Sequence, residues 1–350
     1  MSRSKRPGPM IPNTKAAAPV RKVTASLLDV MVDGREFESI VSYQVNGLNI
    51  IDEFRKSITE IETIRGRPLI CYFANVVNPK IKISTSIEFN DELPFSELVN
   101  TLQTTGWNVD VLLVTNGGSG QQVAKFVTKI RSRFSNVAFI LPSVAMSAGT
   151  IFIMSGDEIV MGPDSVFGPI DPQIPNKHGM FVPAQSILTL IEEIQTRGQV
   201  NLAKGLQPMW TDLEILRNID QKDIGNAYNA SGYSINLVQD YLFRYKFKNW
   251  TIHESSQTPV SDQERNDRAK EIAEILCKHS LWKSHSNGIN REVAVTLCKL
   301  KITKTEDIQG LDRAIRRFWA LSYWVFENTK IGKVFISKDY CIMRNDPTAI

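Results

Sequence analysis

The chain of 350 residues is 42% hydrophobic and 22% charged, with a formal net charge of +4. That is the make-up of a soluble globular protein, long enough for two domains or one large domain with extensions, and a charge so mild gives no footing for nucleic acid as a partner. The cysteines (Cys71, Cys277, Cys298 and Cys341) form no CxxC pair and are not spaced with His as metal ligands, which argues against a disulfide framework or zinc site and points to a reducing, cytoplasmic setting.

Residues 1–22 carry six Lys/Arg and no acid, without the apolar run of a signal peptide; they read as a disordered basic tail. A helix is expected around IDEFRKSITEIETIRG, and RPLICYFANVV (67–77) reads as a buried strand running into a loop. PFSELVNTLQTTG has apolar residues at helical spacing and a closing glycine. VDVLLV then reads as a strand that breaks into Asn116-Gly117-Gly118-Ser119-Gly120, followed by a helix over 120–134. A second strand, 136–141, breaks into Ser-Val-Ala-Met-Ser-Ala-Gly before another helix. Residues 137–155 are apolar over a length that could cross a bilayer, but Pro142 and the strand–turn–helix reading favour a core element and no membrane span. DEIVMG and SVFGPID read as two more short strands. This repeated order predicts an α/β domain with a largely parallel sheet over 23–254. FVPAQSILTLIEEIQTRG is amphipathic, and YSINLVQDYLFRYKFKNW is aromatic-rich. After a polar linker at 255–264, residues 255–350 read as a helical C-terminal extension.

The two turns carry the chemistry. Gly117 and Gly118 can expose backbone N–H groups, and Ser147 sits at the mouth of a helix between small neighbours. A serine beside free N–H donors suits acyl transfer. Taken singly, the features have bland readings: a flexible turn, or an N-cap serine. The first turn matches neither GxxxxGK[ST] nor a dinucleotide GxGxxG, and the second lacks GxSxG.

Together, strand–GG–helix–strand–ASAG–helix, with 29 positions from Gly118 to Ser147, resembles the Clp protease/crotonase superfamily. MGPDSVFGPIDPQIP (161–175) and SHSNGINREVAVTLCKL (284–300) are similar to SDH-type (serine dehydrogenase proteinase) Clp-fold serine proteinases, over roughly residues 65–300. The resemblance implies a Clp/crotonase-like parallel sheet with flanking helices and a serine peptidase that forms a Ser147 acyl-enzyme. It implies an oxyanion hole from the N–H groups of Gly118 and Ala148, no metal or organic cofactor, and a peptide or protein substrate. It also implies a homo-oligomer, with 233–250 and 311–328 as candidate interface helices.

The base departs from the pattern. Clp proteases place a histidine on the strand after the nucleophile helix; VFGPIDPQ has none. Lys204, 57 positions after Ser147, is the expected partner in a Ser–Lys dyad, provided desolvation lowers its pKa. Asp171 could orient a base or bind a peptide amine, and is equally a turn Asp before Pro172. Lys177 and His178 are outside candidates, His285 could act in trans or cap a helix, and His253 and His279 read as incidental. Two other functions share the fold: a crotonase-type acyl-CoA enzyme, and a non-catalytic oligomeric scaffold.

Overall fold

The structure is a computed structural model that describes residues 26–43, 49–103, 107–176 and 179–346. The basic tail, Lys177 and His178 lie outside the described residues. At the start come α1 (Leu27–Val30), α2 (Glu36–Ser42) and α3 (Ile50–Arg65). Asn49 caps α3 by accepting from the Ile51 N–H, and Gly66 ends it in the left-handed conformation at φ 66°.

The centre is built from β1 (Leu69–Ala74), α4 (Glu92–Thr101), β2 (Asn108–Val114), α5 (Gly120–Arg131), β3 (Asn136–Leu141), β4 (Val144–Ala145), α6 (Ala148–Met154), β5 (Glu158–Met161) and β6 (Val166–Phe167). β1, β2, β3 and β5 pair in parallel. Their side chains alternate between two cores. Ile70, Tyr72, Val111, Leu113, Phe139 and Met161 face one, and Cys71, Phe73, Leu112, Val114, Ile140 and Val160 face the other. Strands buried on both faces read as continuous apolar runs, which is why these segments were legible as strands.

The chain continues through β7 (Gln173–Pro175), β8 (Phe181–Pro183), α7 (Ala184–Ala203), α8 (Trp210–Asn218), α9 (Gln221–Tyr241), α10 (Asp262–Cys277), α11 (His279–Trp282), β9 (Ile289–Asn290), α12 (Arg291–Thr296), β10 (Thr303–Lys304), α13 (Leu311–Asn328), β11 (Ile331–Ile336) and β12 (Cys341–Asn345). The main sheet has the order β10-β5-β3-β2-β1-β11-β12, with β11 antiparallel to β1. The first core lies under α4, α5, α6, α9 and α10. The second lies under α1, α3 and α13, where Phe54, Phe73 and Phe318 meet with ring centroids 5.3–5.4 Å apart. The result is a three-layer α/β/α domain, a mixed α/β fold with a mainly parallel central sheet.

Residues 255–350 therefore hold strands as well as helices: β10, β11 and β12 complete the main sheet. The helix at 311–328 spends much of its apolar face inside this chain, on the core beneath α3. A second, three-stranded sheet of order β4-β6-β9 sits beside the first. No helix among the described residues is long and apolar enough to cross a membrane.

Candidate active site

Both small-residue turns leave the carboxyl ends of parallel strands, where open α/β sheets bind their ligands. After β2 the chain pairs sideways rather than entering a helix at once. Thr115 forms a parallel bridge with Ala145, and Gly118 with Ile87. The Gly118 bridge is made by its neighbours: Ile87 N–H donates to Gly117 O at 2.7 Å and Ser119 N–H to Ile87 O at 2.9 Å. The N–H of Gly118 itself therefore faces the other way and stays unspent among the described residues. Gly117 N–H, by contrast, donates to Thr115 Oγ1 at 3.0 Å.

Glycine is required at these two positions. A Cβ on Gly118 (φ 139°) would stand 2.4 Å from Ile87 O, and one on Gly117 (φ 104°) would stand 2.7 Å from Ser147 Cβ. The first turn is thus pressed directly against the serine of the second.

Ser147 has φ 52° and ψ −116°, a strained conformation for a residue with a side chain. It sits half-buried where β4 gives way to α6. Its side chain makes no capping hydrogen bond, so the N-cap reading does not describe it. The next N–H groups are used locally: Gly149 donates to Met146 O at 2.8 Å, and Thr150 to Ser147 O at 2.8 Å. Ala148 N–H appears in no such bond among the described residues, so the turn has an unspent donor beside the hydroxyl. The geometry is that of a strained strand-to-helix elbow, without its GxSxG signature.

The strand after α6 locks onto this elbow. β6 pairs in parallel with β4, Ala145 opposite Phe167. Thr150 Oγ1 lies 2.9 Å from both Ala145 O and Gly168 O and accepts from Gly168 N–H at 3.0 Å. A Cβ on Gly168 would stand 2.6 Å from Met146 Cε. The chain leaving β6 therefore passes the serine turn on its way to Asp171.

Asp171 is fully buried. Its Oδ2 lies 2.9 Å from His279 Nδ1 and its Oδ1 lies 2.8 Å from His285 Nδ1. A buried carboxylate is tolerated where donors satisfy it. In the tautomer that carries its proton on Nδ1, each imidazole donates to Asp171 and keeps Nε2 as an acceptor. Nearby, burial and then the Asp171 charge push the Cys277 thiol up to about 12, which makes it an inert, not a competing, nucleophile. Among the described residues no group of three or more His, Cys, Asp or Glu side chains is arranged to hold a metal ion.

The structure thus sets the first turn, with Gly117 and Gly118, against the second, with Ser147 and Ala148, and Asp171 lies in the chain four residues past the adjoining strand β6. Among the described residues no hydrogen bond joins the Ser147 hydroxyl to any base, whether Lys204, His279 or His285. Lys204 lies exposed at the C-terminal end of α7 and, unlike the two histidines, is joined to Asp171 by no hydrogen bond or ion pair among the described residues. Desolvation, the condition for a lysine base, is not met there. The two histidines on Asp171 were read from sequence as incidental (His279) or as a cap or trans residue (His285). They lie 108 and 114 positions from their partner, and no local spacing announces the contact.

Residues 86–202 match the family of ClpP-like SDH-type serine proteinases, so the resemblance seen in the sequence holds over that segment. The segment contains Gly118, Ser147, Ala148 and Asp171 and ends before Lys204, His279 and His285. Two uncharacterized proteins of Methanocaldococcus jannaschii are similar. One is 25% identical over 189 residues, 54% of this chain and 51% of its own. The other is 34% identical over 80 residues, 23% of this chain and 26% of its own. The chain thus spans about half, or less, of the length of these curated relatives. Among solved structures, a mutant of ClpP1 from Listeria monocytogenes is 13% identical and covers 49% of this chain and 92% of its own, at a TM-score of 0.26.

Proposed function

We propose that this protein is a serine peptidase that cleaves peptide bonds through an acyl-enzyme on Ser147. One observation carries the reading: Ser147 is held at φ 52°, pressed against Gly117, with unspent N–H groups at Gly118 and Ala148. In this reading the Ser147 hydroxyl attacks the scissile carbonyl. The Gly118 and Ala148 donors receive the negative charge that develops on its oxygen. Strain at Ser147 fits a residue whose conformation is dictated by its task rather than by local preference. The similarity of residues 86–202 to serine proteinases supports the same chemistry.

The substrate is a peptide or protein, and we read the protein as self-associating. The α7–α8 arm supports this, since Leu202, Leu206 and Trp210 are 64%, 56% and 77% exposed. The four cysteines are free thiols, consistent with work in the cytoplasm. The test is labelling of the full chain by a fluorophosphonate probe. Wild type is expected to label on one serine and Ser147→Ala not at all. Equal labelling of the two would overturn the reading.

A further inference from the structure

We infer that His285, oriented by Asp171, is the base that activates Ser147. The inference rests on the Ser147 reading and supplies what the serine turn lacks.

Strand register carries the argument. β4 and β6 run parallel with Ala145 opposite Phe167, and β6 and β9 run antiparallel with Phe167 opposite Ile289. Counting outward along that edge, Ser147 lies two residues past Ala145. Asp171 lies four past Phe167, and His285 lies four before Ile289. All three emerge from the same edge of one small sheet. The antiparallel register sets His285 opposite Asp171, and the 2.8 Å contact between Nδ1 and Oδ1 completes it. Gly288 holds the approach close: a Cβ there would meet Val166 side-chain carbons at 3.2–3.3 Å.

The second histidine has a different place. His279 lies on the one-turn α11, which packs against α7, and takes the other oxygen of Asp171 at 2.9 Å. It fixes the carboxylate from behind, so that one rotamer faces His285. The His285 side chain is 24% exposed, open enough for its Nε2 to meet substrate and serine. Asp171 and His279 are accordingly positioning residues.

In the first half-reaction His285 Nε2 takes the Ser147 hydroxyl proton as Oγ bonds to the carbonyl carbon. The carbonyl π pair moves onto oxygen. As that oxyanion re-forms the double bond, the C–N bond breaks with its pair on nitrogen, and His285 returns the proton to the departing amine. Water then repeats the sequence: it gives a proton to Nε2, its oxygen bonds to the acyl carbon, and Ser147 leaves carrying that proton. The sum is peptide plus water giving acid plus amine.

The experiment is the rate of fluorophosphonate labelling in the full chain, with melting temperatures alongside. His285→Ala is expected to lose about 10³-fold in rate, with partial recovery in added imidazole, which Ser147→Ala does not show. His285→Asn keeps a donor at the Nδ1 position for Asp171 but has no basic nitrogen, so it is expected to fall equally while melting as wild type does. His279→Ala is expected to lose less than about 10-fold. If Ser147→Ala abolishes labelling while both His285 variants label within about 3-fold of wild type, the assignment is overturned and the serine reading stands. It is also overturned if His279→Ala alone removes labelling. A wild-type chain that does not label on Ser147 overturns both.

Discussion

The two ends of the parallel strands are built on different terms. At the amino ends charges are buried against partners. Arg65 Nε lies 2.7 Å from Asp110 and its Nη2 2.6 Å from Glu158, with Arg67 3.3 Å from Asp110. Burial alone would push the Glu158 carboxyl up, but the Arg65 hydrogen bond and charge hold it below its ordinary value. Arg131 pairs with Asp157 at 2.8 Å, and Asp157 also accepts from Val137 N–H at 2.7 Å. At the carboxyl ends lie the positive-φ residues Gly117, Gly118 and Ser147 and, at Gly118 and Ala148, donors that find no partner among the described residues. One end is satisfied and holds the strands in register; the other holds strain and open valences, which is where chemistry can act. One satisfied pair also stands at the carboxyl ends, opposite Ala74, the last residue of β1. Lys333, buried within β11, pairs with Asp91 at 2.9 Å and donates to Ser86 O, bracing the segment whose Ile87 pins Gly118.

The sharpest way to break this contrast is to damage each end and ask which property falls. Asp110→Ala leaves Arg65 buried beside one partner and is expected to cost about 3–5 kcal/mol of stability, measured by urea unfolding. The surviving folded fraction should label at the wild-type rate. A rate that falls with stability would show that the ends are not separable. Gly118→Ala should do the reverse. Its Cβ meets the Ile87 backbone at 2.4 Å, so the donor is displaced, and labelling is expected to drop about 100-fold. The stability loss should be only about 1–2 kcal/mol.

A smaller effect tests the satisfied end by pH. Desolvation pushes the half-buried Lys246 amine down to about 8, against the pull of Glu158 and Asp157. Between about pH 8 and the ordinary lysine value near 10.4, the unfolded chain keeps a proton that the folded chain has released. Stability from this group therefore rises with pH across that window. Lys246→Met should be the more stable form below pH 8 by about 1 kcal/mol, allowing for the solvent around the amine. That difference should close by about pH 10. A difference that does not change with pH would remove Lys246 from the network.

Much of the central domain was legible in the sequence because its signals are local. The strand at Asn136–Leu141 follows the apolar run, and the helices at Gly120–Arg131 and Ala148–Met154 follow small-residue turns. β11 was not legible. A lysine interrupts its apolar run, and Lys333 is buried only because Asp91, 242 positions earlier, meets it. β10 is two residues long, too short to leave a pattern.

By itself, then, the sequence determined the parallel α/β core and the pairing of a glycine turn with Ser147. Each depends on residues a few positions apart, whose side-chain alternation and backbone freedom are fixed locally. Tertiary structure alone decided which group faces Asp171. His285 reaches it through the register of β9 on β6, across 114 positions. Register is set by how whole strands pack rather than by any spacing along the chain. The same packing left Lys204 in solvent at the end of α7, where its distance in sequence from Ser147 had suggested a partner.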